Sequence, residues 1–413
     1  MSASTSTSTP IHTEPFDSMV VNGRLIDPAH GLDGAARDIG IRAGRVAAVG
    51  SALPRSGTVH DATGALVVPG LIDLHTHVYH RATSYGVDPQ AIGRRSLATT
   101  MVDAGSAGAG NYEGLSGFVI ARSDIRVLAF LNISFPGIFA FDRRVMLGEA
   151  AHLSLLDVAR CVEVARAHAD TVVGIKVRLG GAVSGEVGLV ALERALEAAD
   201  ALGAPVMCHV GRPPPDYGAI VERLRPGDIL THCYRPAPNA PVDENGRMLP
   251  ALLEARRRGV LFDIGHGMGA FGFASAEAAI AEGFLPDTVS SDVHGLSVDG
   301  PAFDLLHTMN KLLNCGIGLT DLVRMATAAP ASALRRPDLG HLGPGVCADI
   351  ALLKPVEVAL RYIDASGVER EGMRLLKPAG LLRAGRWHDA PPRPWELPRT
   401  NPLARREGEE PGR

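Results

Sequence analysis

The sequence predicts an α/β protein: a (β/α)8 TIM barrel with a small β-sandwich domain formed by the N- and C-terminal segments. Three observations lead to this fold. Eight short apolar runs alternate with amphipathic stretches through the middle of the chain. Ionisable residues stand at the ends of several of those runs. Segments of β texture, broken by Gly and Asp, occupy both flanks.

The elements follow in chain order. Residues 1–17 are rich in Ser and Thr and read as a disordered lead-in, since no basic stretch precedes an apolar core of a secretory signal. "MVVNGRLIDP" and "DIGIRAGRVAAVG" suit a hairpin-rich sheet, and the same texture returns in "CADIALL" and "VALRYIDASGVEREGMRLL". Residues 18–66 and 340–390 are therefore assigned to the small β domain, and 67–339 to the barrel. Its strands are expected at 66–74, 99–103, 127–134, 172–178, 205–210, 228–233, 260–264 and 288–293. Between them, "LLDVARCVEVARAHA" and "VGLVALERALEAADAL" repeat apolar residues at three- and four-residue intervals, as helices do. Residues 391–413 are Pro- and charge-rich and read as a disordered tail.

Composition narrows the function. The chain has 413 residues, a formal charge of -4 and 46% hydrophobic residues, enough for a large core. That charge balance gives nucleic acid or an anionic membrane no purchase, and no apolar run reaches the length of a membrane span. A small-molecule substrate is the expected partner. The five cysteines lack any paired spacing, which points to reduced thiols and a cytoplasmic setting.

In a barrel of this kind, catalytic groups sit at the C-terminal strand ends, where loops vary over a rigid scaffold. His75 and His77 close the first run, Lys176 lies near the end of the fourth, and His209, His232 and Asp292 end the fifth, sixth and eighth. Alternate residues of a strand share a face, so His75 and His77 project together while Thr76 turns away. Two neutral imidazoles on one face can hold a divalent cation, and the convergence of four further ionisable groups favours that role over two ordinary core histidines. Lys176 is the anomaly. An ammonium beside a metal is repelled, and its "GIKVRL" surroundings are apolar up to Arg178, so a chemically altered lysine would remove the conflict.

The segments "GLIDLHTHVY", "GIKVRLG", "MCHVG", "ILTHCY" and "SSDVHG" resemble the amidohydrolase superfamily, in its dihydroorotase-like metallo-deacetylase branch. The flanking β segments, "MVDAGSAGAGNYEG" and "FDIGHGMGAFGF" share the likeness. The resemblance implies two divalent ions, with Zn2+ expected and Mn2+ or Co2+ as alternatives. His75 and His77 would bind one ion, and His209 and His232 the other. Lys176, carboxylated by CO2 to a carbamate, would bridge both, and Asp292 would bind the first ion and handle the proton. The implied chemistry is hydrolysis of an amide or ester by a hydroxide shared between the ions. The implied substrate is a small acetylated carboxylate such as an N-acetyl amino acid or an O-acetyl 2-hydroxy acid.

Other positions stay open between function and structure. Arg178, His266 and His294 lie where substrate contacts are expected, and each has an equally good structural role. Gly105, Gly108 and Gly110 suit either a close backbone approach to the site or an ordinary βα loop. Cys208 and Cys233 alternate away from the mouth and belong to the core. A cyclic-amide hydrolase of dihydroorotase or hydantoinase type shares the metal set, whereas a mononuclear deaminase would leave Lys176 nothing to bridge. A non-catalytic scaffold barrel is the reading from a different class, and the filled ligand positions argue against it. Barrels of this kind often associate, so a homo-oligomer is also expected.

Overall fold

In the computed structural model, which describes residues 14–391, seven parallel strands stand side by side in chain order. They are Leu71–Thr76, Ala98–Gly108, Arg126–Asn132, Val172–Leu179, Val206–Val210, Ile229–Thr231 and Leu261–Asp263. The eighth position is filled by extended chain over 288–293. It bridges Asp263 through Thr288 on one side and Thr76 through Val293 on the other, both in parallel sense. The Asp292 amide donates to the His75 carbonyl at 2.7 Å and the His77 amide to the Val293 carbonyl at 3.0 Å, so the ring closes. Along this last strand Thr288 and Ser290 donate their hydroxyls to Asp263 and Ser291 to Asp73, and the Ser291 amide goes to Asp73 Oδ1 instead of a neighbouring strand.

The apolar run expected as one strand over 66–74 is two. Leu66–Pro69 pairs with Ile350–Leu353 and with Arg24–Leu25, and the first barrel strand begins only at Leu71. Both halves are buried throughout, so no change of period marks the break. The Pro69-Gly70 pair is its sole punctuation.

The two chain ends build two sheets. One joins Arg45–Gly50, Asp38–Arg42, Ser18–Val21 and Thr58–Asp61. The other joins Arg386–His388, Glu369–Arg383, Ile350–Ile363, Leu66–Pro69, Arg24–Asp27 and Leu32–Ala36. Val20, Ile39 and Ile41 of the first sheet and Leu25, Val67, Ile350 and Leu382 of the second share one buried cluster, which makes the pair a sandwich. The end of the expected lead-in is not loose. Phe16 is buried with Met19 and Val21, while residues 1–13 and the tail from 392 lie outside the described residues.

The helical periodicities appear where expected. Val158–Ala167 starts on an Asp157 side chain that accepts from the Arg160 amide, and Leu189–Leu202 stops at Gly203 in the left-handed conformation. Among the described residues, no helix is long and apolar enough to cross a membrane. All five cysteines are free, and Cys208 and Cys233 sit in the barrel core.

Candidate metal centre

The first strand carries His75 and His77 on one face to the barrel mouth, where the closing strand brings Asp292 against both. Asp292 Oδ1 lies 3.3 Å from His75 Nε2 and 3.1 Å from His77 Nε2, and the three form a group able to hold an ion. Lys176 Nζ stands 3.2 Å from the same His75 Nε2. The His232 ring lies 5.2 Å from the His75 ring, and His232 Nε2 meets His209 Nδ1 at 2.6 Å. All six expected positions therefore converge on one cluster, although they are drawn from a span of more than 200 residues, His75 to Asp292.

The opposite edges of the rings are tied down. His75 Nδ1 contacts the Thr231 hydroxyl at 2.8 Å, and that hydroxyl donates to Asp263 Oδ2 at 2.7 Å. Because the hydroxyl proton is committed to Asp263, His75 Nδ1 must be the donor, and Nε2 keeps its lone pair for the centre. His77 Nδ1 is occupied by Ser106 Oγ at 3.0 Å and the Tyr85 hydroxyl at 3.3 Å. His232 Nδ1 donates to the Gly265 carbonyl at 2.7 Å. Three rings thus offer Nε2 inward and His209 offers Nδ1.

Electrostatics favour the ligand forms. Burial, reinforced by the neighbouring cationic groups, holds His75, His209 and His232 well below the ordinary imidazole value, and burial takes His77 to about 3. All four are neutral at pH 7, as metal binding requires. Burial lowers Lys176 to about 8 against the pull of Asp292, so the neutral amine that reacts with CO2 is accessible near neutrality. Burial raises Asp292 to about 6, opposed by His294, Lys176 and Arg178. The donor set fits a divalent ion: imidazole nitrogens, a carboxylate, and a lysine that carboxylation would convert from cation to oxygen ligand.

His232 and Asp292 both hold positive φ, at 77° and 46°, a conformation uncommon for non-glycine residues. Gly267 has φ +53°, and a Cβ there would lie 2.2 Å from Asp292 Oδ2. Gly105 has φ +86° and lets the second strand approach Lys176, whose Cγ would sit 2.6 Å from an added Cβ.

The three expected substrate contacts divide. His266 is not available. Its Nε2 is held by Lys311 Nζ at 2.8 Å, its Nδ1 by the Gly267 carbonyl at 2.9 Å, and its ring stacks on Phe271. That arrangement corrects the expected contact, because Nδ1 is engaged within the loop after the seventh strand and Nε2 by Lys311 of the helix Leu305–Asn314. His294 lies 6.0 Å, ring to ring, from both His77 and Tyr85, and accepts from the Leu296 amide at Nδ1. Arg178 stands beside Glu149, with Nε 3.1 Å from Oε1.

Sequence reasoning passed over the carboxylates behind the ligands. Asp73 accepts from the Ser291 amide at 2.9 Å and is raised to about 8 by burial. Asp263 gathers three hydroxyls. An aspartate inside each of the apolar runs "GLIDLH" and "GVLFDIG" was the trace they left in the sequence.

Comparison with known proteins agrees with this geometry. The chain is 36% identical over 337 residues to a deacetylase of Agrobacterium fabrum (strain C58), covering 81% of this chain and 82% of that protein. A solved dihydroorotase is 34% identical with a TM-score of 0.84, covering 90% of this chain and 97% of its own. An adenine deaminase structure superposes with a TM-score of 0.85 at 29% identity, covering 91% and 100%. The amidohydrolase family model matches residues 66–375. The chain therefore belongs to the amidohydrolase family, hydrolases of C–N bonds built around a divalent metal centre.

Proposed function

We propose that this amidohydrolase is a binuclear deacetylase of small acetylated carboxylates, with N-acetyl amino acids and O-acetyl 2-hydroxy acids as the substrate class. The observation that supports it is the convergence of four neutral imidazoles, Asp292 and a buried lysine within hydrogen-bond reach of one of those imidazoles. His75, His77 and Asp292 would hold one ion, His209 and His232 the other, and carboxylated Lys176 would bridge them. Zinc is the proposed metal, on the preponderance of imidazole donors. When bound, the two ions supply Lewis acidity and lower the pKa of a shared water.

The protein's own groups supply the remainder. Asp292, within reach of both His75 and His77, takes the proton of the attacking water and returns it to the departing nitrogen or oxygen. Water thereby adds across the acyl bond, releasing acetate and the amine or alcohol. His294, with Nδ1 already accepting from backbone, presents its other nitrogen as donor to the substrate. The deacetylase name of the Agrobacterium relative supports acyl transfer to water. Cyclic-amide hydrolysis is the second reading, supported by the likeness to the dihydroorotase structure.

The test is a substrate screen of zinc-loaded, bicarbonate-supplemented protein, with metal content measured in parallel. N-acetyl-D- and N-acetyl-L-amino acids, O-acetyl 2-hydroxy acids and cyclic ureides form the panel. Turnover of one acetylated series supports the proposal and reports chirality. Turnover confined to the ureides would transfer the protein to the second reading.

A further inference from the structure

Arg178 and Lys176 are two residues apart on the fourth strand and so share its inward face. Lys176 reaches the metal-site imidazoles, and Arg178 stands one layer nearer the mouth, paired in register with His209 of the fifth strand. Its guanidinium is fixed on two sides. Glu149 lies against the Nε edge at 3.1 Å, and the Phe141 ring lies under the plane at 5.1 Å. Phe141 in turn touches Tyr85 and His294, which border His77.

The remaining edge is unused. Arg178 is 7% exposed, yet Nη1 and Nη2 make no hydrogen bond to any described residue, and unlike Nε they are not sealed from solvent. A cation of this kind, buried and half-partnered, is expensive unless something completes it. The paired Nη–H groups of a guanidinium match the two oxygens of a carboxylate.

We propose that the Nη edge of Arg178 is the subsite for the substrate's carboxylate, held in orientation by Glu149 and Phe141. This deepens the deacetylase reading and rests on it for the identity of the scissile acyl group. Glu149 and Phe141 are positioning residues here, acting through Arg178. The consequence is selectivity: the acyl group lies at the metal-site histidines while the carboxylate is anchored one strand layer outward, so an uncharged analogue loses the anchor and keeps the chemistry.

The test pairs N-acetylglycine with its neutral isostere N-acetylglycinamide, in turnover and in calorimetric binding. Loss of a charge-assisted bidentate contact predicts that Arg178→Gln lowers kcat/KM and affinity for the carboxylate about 100-fold, and for the carboxamide less than about 3-fold. Removing Arg178 alone strands a buried Glu149, so the double variant Arg178→Gln/Glu149→Gln, which leaves a neutral pair, is measured beside it. Equal losses for both compounds in both variants, or a wild type indifferent to the charge, would overturn the subsite. Selective, Arg178-dependent binding of N-acetylglycine without turnover of any acyl compound would keep the subsite and sink the deacetylase reading.

Discussion

The Thr231 hydroxyl stands between His75 and Asp263, 2.8 Å from Nδ1 of the one and 2.7 Å from Oδ2 of the other. It converts a carboxylate on the seventh strand into a tautomer on the first, because a hydroxyl that donates to Asp263 can only accept from His75. Thr231→Val keeps the shape and removes this relay. Zinc affinity is expected to fall about 10- to 100-fold, the usual cost of losing an outer-sphere partner. A chelator-competition titration reads the change, and an unaltered zinc affinity would show that the relay does not orient the ring.

Lys176→Ala should abolish turnover and lower the metal content from two ions per chain. Short carboxylic acids added to the variant should restore part of the activity by replacing the bridging oxygens. Full activity without rescue would remove Lys176 from the metal set.

Asp292→Asn separates binding from proton transfer. The amide oxygen can still face His75 and His77, so metal is largely retained, but the side chain no longer carries a proton between water and leaving group. A fall in kcat of about 100-fold or more is expected, within the range for a general acid–base group. Unchanged turnover with unchanged metal content would exclude Asp292 as the proton carrier.

The metal-free protein should weaken in acid. His75, His77, His209 and His232 have folded values below the unfolded 6.5, so below that pH the unfolded chain binds protons the folded chain refuses. Each refused proton costs about 1.4 kcal/mol per pH unit. Asp73, raised to about 8, and Asp292, raised to about 6, act in the opposite sense, since both take up protons in the folded chain first. Burial raises Glu149 and Asp263 in the same sense, but with His266 and His294 on the other side six imidazoles still outnumber four carboxyls. The melting midpoint of chelator-treated protein should therefore drop between pH 6.5 and 5, and a constant or rising midpoint would contradict the buried neutral imidazoles.

Some of this was written locally in the chain. The alternation of a strand made His75 and His77 neighbours, three- and four-residue spacing marked the helices of 158–167 and 189–202, and apolar runs ending in ionisable residues announced a barrel with its site at one mouth. These features depend on periods of two or 3.6 residues, which a sequence displays directly. The division of 66–74 into strands of two different sheets did not show, because both halves are equally buried. Nor did the partners of the site residues. Thr231 lies 156 residues from His75, Lys311 takes His266 away from the mouth, and Glu149 and Phe141 turn Arg178 from a lone cation into a half-occupied fork. Such pairings arise where barrel closure brings distant strand ends within hydrogen-bond range. No periodicity records that distance, so residue types and their order came from the sequence, and tertiary packing alone decided which nitrogen, oxygen or guanidinium edge was left free to act.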